Sequence, residues 1–310
     1  MKERLKNFLY SKHFPFSLFA FYFNKKEKKE SKRLLEILNN ETDLLETVPE
    51  IQREHWKLRI QKVMDAPENR NIPRSNMAGS INEGNLIMHN DIKVDPLSYY
   101  SFPLLKMLID NKGVHEPEEE KIFQEVLKSL DPNKKMCMLE LGAYWSFYSM
   151  WFLSKFPNTD CYMVEPSRKN LYYGKKNFRL NRREGTFIHA GIGNKSNNSQ
   201  SILCVDDICE KNQIAFLDVL HSDIQGFELE MLQGSKRMLS EGRVGFVFIS
   251  THSNELHSDC RKTLLDYNFT EVANVDLDHS SSWDGILVMK APTYKGIDHV
   301  EVETVKVGRS

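Results

Sequence analysis

The chain has 310 residues, 42 of them basic and 43 acidic, and 40% of its side chains are hydrophobic. That length holds one large domain, or one domain and an extension, and the near-neutral balance without a basic, aromatic-interleaved tract argues against a nucleic-acid partner. Cys137, Cys161, Cys204, Cys209 and Cys260 form no Cys-x-x-Cys pair, and the first three fall in apolar strand-like runs. They read as reduced core thiols of an intracellular protein.

In chain order, the longest apolar run is Phe14 to Phe23, ten residues rich in aromatics. A bilayer span needs about 20. Lys2, Arg4, Lys6 and Lys12 precede it and Lys25-Lys26-Glu27-Lys28-Lys29 follows, with no small-residue cleavage site. Two readings stand. The run docks on the core or on a sister subunit, or residues 1–29 touch a membrane surface as a peripheral anchor. Residues 1–65 read as helices, with Ser31 to Leu38 and Pro49 to Met64 apolar at helical spacing and a break at Asn39-Asn40.

Residues 66–80 read as a polar linker. Asn85 to Val94 reads as a hairpin turning at Asn90-Asp91. Tyr99 and Tyr100 open a short helix to Ile109. His89, Tyr99 and Tyr100 are candidates for lining an acceptor pocket, with core packing as the competing reading. Pro117 and the acids after it open a helix over 117–130. His115 and Glu116 lie just outside its start, where they are candidates for facing the site.

The stretch from Met136 to Pro166 carries the chemistry. Residues 136–141 form a short apolar run that reads as a buried strand, and Gly142 follows at once. Trp145 to Ser154 reads as a helix. A second strand, Cys161 to Val164, ends in Glu165, 23 residues after Gly142. In such β-α-β units that carboxylate accepts from the two hydroxyls of a ribose. The loop has one glycine, where a pyrophosphate needs Gly-x-Gly-x-x-Gly, and Tyr144 and Trp145 crowd it. Glu140 adds negative charge, which suits a cation. S-adenosylmethionine, with a sulfonium, an ammonium and no phosphate, fits better than a dinucleotide.

Ser167 to Asn181 reads as a helix and Thr186 to His189 as the third strand, followed by Ala190-Gly191. Residues 192–200 read as loop, and Ser201 to Cys209 as a short extended piece. Leu217 to Asp223 is the fourth strand, before a helix over 226–240. Val244 to Ser250 is the fifth, ending in Thr251-His252-Ser253. A helix over 254–267 and strands near 270–276 and 284–290 close the domain, before a polar tail. Alternating strands and helices predict an α/β, doubly wound, mostly parallel sheet of seven strands with helices on both faces. Its ligand belongs at the carboxyl ends of the strands, where Gly142, Glu165, Ala190, Asp223 and His252 all fall.

Glu116-Pro117, Glu140-Leu-Gly-Ala143 with Ser149, Glu165-Pro166 with Asn170, Asn177 and Asn181, Val205-Asp206-Asp207, and Ser222-Asp-Ile-Gln-Gly-Phe-Glu-Leu-Glu-Met-Leu-Gln-Gly234 together resemble the FkbM family. Those are Rossmann-like, S-adenosylmethionine-dependent O-methyltransferases associated with sugars and polyketides. The resemblance covers roughly 113–290, and the Asp-x-x-Gly-x-Glu block is its most specific part. It departs at Tyr144 and Ser146, where the family commonly has Asn and Gly. The resemblance implies that Gly142, Ala143 and Tyr144 approach the methionine part and that Ser149 lies near its carboxylate. It also implies that Glu165 binds the ribose, that Pro166 and Ser167 flank the adenine, and that Ala190-Gly191 closes over the ring.

The expected division is a helical extension with a hairpin over 1–112, a methyltransferase domain over 113–292 and a tail over 293–310. The expected reaction is methyl transfer to a hydroxyl of a sugar or glycan. His252 serves as base, and Asp223 as its orienting partner or a ligand of the acceptor. A helix cap is the competing reading for Asp223. A divalent metal at Asp223 and His252 stays open, since only one carboxylate is evident there. The rival readings are an inactive methyltransferase-fold partner or cofactor-binding module in a glycan-assembly complex, a methyltransferase of a small natural product, and an RNA or protein methyltransferase, against whose RNA form the charge balance argues. The expected location is cytoplasmic, including the inner face of the membrane, and a homo-oligomer stays open.

Overall fold

The structure, a computed structural model, describes residues 15–99 and 101–304. Tyr100, residues 305–310 and the basic residues Lys2, Arg4, Lys6 and Lys12 lie outside the described residues.

Helix α1 (Phe16–Asn39) absorbs most of the aromatic run and buries Phe19, Phe23, Glu27 and Leu34 along one face. Helix α2 (Glu50–Met64) follows. Strands β1 (Ile81–Asn82), β2 (Asn85–Ile87) and β3 (Lys93–Val94) form a small antiparallel sheet that contains the expected hairpin. Asp91 makes its turn at φ 66, a conformation that short polar side chains tolerate. Helix α3 (Phe102–Asp110) starts later than Tyr99, because Ser101 is extended and Pro103 takes the first turn. Helix α4 (Pro117–Ser129) leads into the large sheet.

The remainder alternates as expected. Strand β4 (Cys137–Leu141), helix α5 (Phe147–Lys155), strand β5 (Asp160–Val164), helix α6 (Arg168–Leu180) and strand β6 (Thr186–Ile188) form one half. Two short pieces, β7 (Gly191–Ile192) and β8 (Ile202–Leu203), pair in parallel. The expected extended piece over 201–209 shortens to β8. Helix α7 (Val205–Lys211) takes the rest, because Val205, Ile208 and Cys209 share its buried face. Cys204 precedes that helix and lies outside any strand. Strand β9 (Leu217–Ser222) leads to two short helices, α8 (Glu228–Gln233) and α9 (Lys236–Ser240). The single helix expected over 226–240 breaks at Gly234, where the chain passes so close to Gly193 that a Cβ would lie 2.5 Å from its carbonyl oxygen. Strand β10 (Val244–Thr251), helix α10 (Asn254–Asp266) and strands β11 (Thr270–Val275) and β12 (Gly285–Lys290) complete the chain.

The large sheet has the order β11-β12-β10-β9-β4-β5-β6. Strands β6, β5, β4, β9 and β10 run parallel, and β12 is antiparallel to β10 and β11. From β4 the winding goes one way through β5 and the other way through β9. The carboxyl ends of β4 and β9 therefore frame the crevice where such sheets bind ligands. Side chains alternate between two cores. Met138 joins Phe123, Trp151 and Phe248 on one face, and Leu139 and Leu141 join Val164, Leu220 and Ile249 on the other.

Helix α1 docks on α6. Phe23 meets the rings of Tyr172 and Tyr173 at 5.0 and 5.7 Å. Glu27 accepts from the Tyr172 hydroxyl and from Lys176 Nζ, each at 2.7 Å. Burying each phenylalanine contributes about 1.5–3 kcal/mol. Leu18, Phe21 and Tyr22 stay on the exposed face. No helix among the described residues is long and apolar enough to cross a membrane. The expected polar tail is packed as far as it is described. Tyr294 donates to Asp218 at 2.6 Å, and Val300 is buried, its N–H donating to Val272.

Candidate functional site

Strand β4 ends at Leu141 and the chain turns at Gly142 with φ +70. A Cβ there would lie 1.8 Å from the carbonyl oxygen of Asp223. The Asp223 N–H donates to the Leu141 carbonyl at 3.0 Å. The glycine turn and the end of β9 are therefore one unit, and Asp223 is fixed beside the loop.

Tyr144 and Ser146 are left-handed, with φ 46 and 64. That conformation costs a residue with a Cβ about 1–2 kcal/mol, and Gly and Asn tolerate it best. The geometry therefore explains why Asn and Gly suit these positions, and it places strain where this chain departs from the pattern it resembles.

Glu165 is buried beneath the loop. Its Oε2 accepts from the Tyr144 N–H at 3.0 Å, and its Oε1 accepts from the Ser167 N–H at 2.6 Å and from Asn170 Nδ2 at 3.3 Å. Burial raises its carboxyl above the usual range, against these donors. A carboxylate has about four acceptor positions, and three are taken.

The other expected cofactor residues divide by burial. Glu140 lies under the crevice, accepts from the Ser149 N–H at 3.3 Å, and has its carboxyl pushed up to about 7 by burial, with His221 opposing. The Ser149 and Ser222 hydroxyls are buried without a hydrogen-bond partner among the described residues. Ser167 caps α6. The Pro166 carbonyl meets His189 Nε2 at 2.9 Å. Ala143 and Ala190 are buried in the two cores, and Gly191 opens β7.

The ends of β9, β10 and β12 converge on His252. Its Nε2 lies 3.3 Å from Asp223 and 3.4 Å from Asp284, and its Nδ1 lies 3.0 Å from Glu228. Burial disfavours the imidazolium, but these carboxylates outweigh it and push its pKa up to about 10. Burial pushes the Asp284 carboxyl up to about 7, against the pull of His252. Glu228 also accepts from the Ile224 and Gly226 N–H groups at 3.1 and 3.2 Å, and Gly226 has φ +102. This accounts for the Asp-x-x-Gly-x-Glu block. The glycine makes the turn, the glutamate holds it, and the aspartate is presented at its rim. The helix-cap reading of Asp223 fails, because Asp223 accepts from Gln225 at 2.8 Å and α8 begins only at Glu228. Asp223, Glu228 and His252 each offer a ligand atom within 4.8 Å of the others, so the three could hold a metal ion.

Behind this cluster, Glu119 meets His221 Nε2 at 2.6 Å and accepts from the Ser250 hydroxyl at 2.8 Å. His115, an expected substrate residue, is buried between Glu116 at 3.2 Å and Glu120 at 2.5 Å. Burial opposes its charge, yet the two carboxylates push its pKa up to about 10. It is a structural ion-pair member, out of reach of an acceptor. Glu116 accepts from the Tyr148 hydroxyl at 2.9 Å. His89 is likewise buried, 2.9 Å from Glu120. Tyr99 packs on Trp145 and Tyr144 at 4.7 and 5.8 Å. Tyr100 lies outside the described residues.

Sequence reasoning passed over Asp284, Glu228 and Glu119. Glu228 was legible as the last member of the block, and Asp284 as the residue before Gly285 in a turn. Glu119 gave no signal beyond a helix-opening acid. Asp223 and Glu116 raise the Asp284 carboxyl further through their charge, so these acids act on one another across this end of the sheet.

Residues 199–271 match the family model described as the methyltransferase FkbM domain. The matched segment runs from before β8, through the Asp223 turn and His252, into β11. No curated protein matches the sequence. Among solved structures, the chain is similar to a precorrin-6y C5,15-methyltransferase from Geobacter metallireducens. That likeness has 14% identity, covers 55% of this chain and 87% of that one, and has a TM-score of 0.39. It is also similar to M. capricolum TrmK in complex with S-adenosyl-homocysteine, at 14% identity, 58% and 70% coverage and a TM-score of 0.39. An rRNA methylase from Streptococcus thermophilus gives 10% identity, 57% and 98% coverage and a TM-score of 0.40. The domain match bears out the FkbM resemblance, and the strand order bears out the Rossmann-like fold.

Proposed function

We propose that this FkbM-type domain transfers a methyl group from S-adenosylmethionine to a hydroxyl of a sugar or glycan. The observation that carries the reading is Asp223, fixed against Gly142 on one side and 3.3 Å from His252 on the other. One residue thereby joins the cofactor loop to a proton-handling cluster. S-adenosylmethionine, when bound, supplies an electrophilic methyl group. Gly142, Tyr144, Glu165 and Ser167 would hold it.

The acceptor side is acid–base work. A sugar hydroxyl must lose its proton as it attacks, and the group that takes it works best with a pKa near the operating pH. His252, the expected base, carries a proton in this arrangement. We therefore give proton acceptance to Asp284, whose carboxyl is pushed up to about 7. Asp223 and Glu228 hold the two ring nitrogens of His252, which keeps a positive charge beside the oxygen as it loses its proton. Holding the oxygen in line can supply about 7–11 kcal/mol of the barrier. A divalent cation on Asp223, Glu228 and His252 would take over the acidifying role, and comparing activity with and without a chelator separates the two forms. A cytoplasmic location, including the inner membrane face, belongs to this proposal, as does a homo-oligomer.

A second reading, a cofactor-free partner in a glycan-assembly complex, draws on the internally bonded Glu165 and the strained loop. Calorimetry with S-adenosylhomocysteine on the full chain tests the choice. Saturable binding that falls in Glu165→Ala supports the enzyme. No binding by the folded protein removes it.

A further inference from the structure

Helix α1 does not lie flush on the rest of the chain. Between its middle, residues 96–99 with Ser101 and Phe102, and the start of α6 lies a cavity of about 280 Å³, near the lower end of the range for small-molecule sites. The rings of Phe23, Tyr99, Phe102 and Tyr173 wall it. Flat aromatic faces of this kind pack against the C–H faces of a sugar ring. The Ser101 hydroxyl also lines it, and among the described residues it has no hydrogen-bond partner. Glu30, half-buried, offers an acceptor for hydroxyls.

Two carboxylates and two ammonium groups line this wall, and Glu30 lies 3.8 Å from Arg33. Glu27 is committed to Tyr172 and Lys176. Lys26 and Lys169 also line the cavity, and among the described residues neither is ion-paired with a carboxylate. Burial, and after it the Lys26 ammonium, lower the pKa of Lys169. A phosphate between them would receive charge-assisted hydrogen bonds from both.

We propose that this cavity binds a phosphorylated sugar ring, stacked on the aromatic wall with its phosphate between Lys26 and Lys169. Tyr99 separates the cavity from the glycine loop, since its ring also packs on Tyr144 and Trp145. The bound ring is thus a unit of the acceptor away from the methylated hydroxyl. That role rests on the sugar-acceptor reading, whereas the binding does not.

The test uses the full chain and calorimetry with glucose 1-phosphate. Phosphatidylcholine vesicles with and without phosphatidylinositol 4-phosphate run in parallel, to separate a soluble ring from a lipid-borne one. Binding to either probe should weaken at least about tenfold in Lys169→Glu, weaken with added salt, and fall in Phe102→Ala. The affinity for S-adenosylhomocysteine should stay unchanged in the same variants. Binding to neither probe by folded wild-type protein overturns the proposal, as does binding that survives both Lys26→Glu and Lys169→Glu. Loss of S-adenosylhomocysteine binding alone counts against methyl transfer and leaves this site standing.

Discussion

Gly142 and Asp223 meet backbone to backbone. The Asp223 carbonyl oxygen occupies the place where a side chain on Gly142 would begin, 1.8 Å from its ideal Cβ. This contact ties the end of β4 to the end of β9. Gly142→Ala must either break the tie or force a left-handed alanine. The expected loss is at least about 2 kcal/mol of stability, with cofactor binding lost as well. Urea denaturation measures it, and a variant as stable as wild type would show that the contact is not maintained in solution.

Ser146 offers the opposite change. It holds φ 64 and ψ 40 just before α5, where glycine fits without a Cβ penalty. Ser146→Gly should stabilise the protein by about 0.5–1 kcal/mol, the relief of strain less the added chain entropy of glycine. A lower urea midpoint for this variant would contradict a left-handed residue at this position.

Turnover should follow a bell-shaped pH profile. Asp284 must lose its proton to act, so the acidic limb should lie near pH 7, where its carboxyl titrates. The alkaline limb should lie near pH 10, where His252 loses its proton. Asp284→Asn should remove most of the activity, about 10²–10⁴-fold. His252→Gln should leave the acidic limb in place, shifted as Asp284 loses its cationic neighbour. Both should keep cofactor affinity. An Asp284→Asn variant with wild-type turnover would take Asp284 out of the mechanism.

Stability should also depend on pH. His115 and His252 both have folded-state pKa values raised to about 10, against 6.5 for the ordinary imidazole. Their contribution is therefore full below about pH 6.5 and is lost as the pH rises through about 10. On the acid side, burial opposes the charge of Glu120, but His115 and His89 hold its pKa well below its ordinary 4.5. Its contribution is present above that value and is lost as the pH falls through the lowered one. Melting temperature against pH should fall from 6.5 to 10, and fall less steeply in His252→Gln. A wild-type curve flat across that window would refute the paired-histidine assignment.

The sheet was legible because its central strands, such as β9 and β10, are buried on both faces and read as apolar runs. The turn at Gly142 and the carboxylate at Glu165 were legible for a related reason. A glycine that must admit a neighbouring carbonyl and a carboxylate at a strand end are local requirements, and they show in a few consecutive residues. Helix α7 was missed because only three of its side chains face the core, too few for a helical period to stand out. The closing residues were missed because Tyr294 and Val300 are single anchors in a polar stretch.

The sequence alone determined the alternation of strands and helices, the turn at Gly142, and the placing of Asp223 and His252 at strand ends, since these follow from neighbours along the chain. Only the tertiary structure decided that Asp284 and Glu228 surround His252, that Glu165 is bonded to its own loop, and that α1 leaves a cavity beside α6. Those outcomes depend on groups far apart in sequence. Their charges and burial act through space, where a carboxylate drawn in from another strand can turn an expected base into a cation.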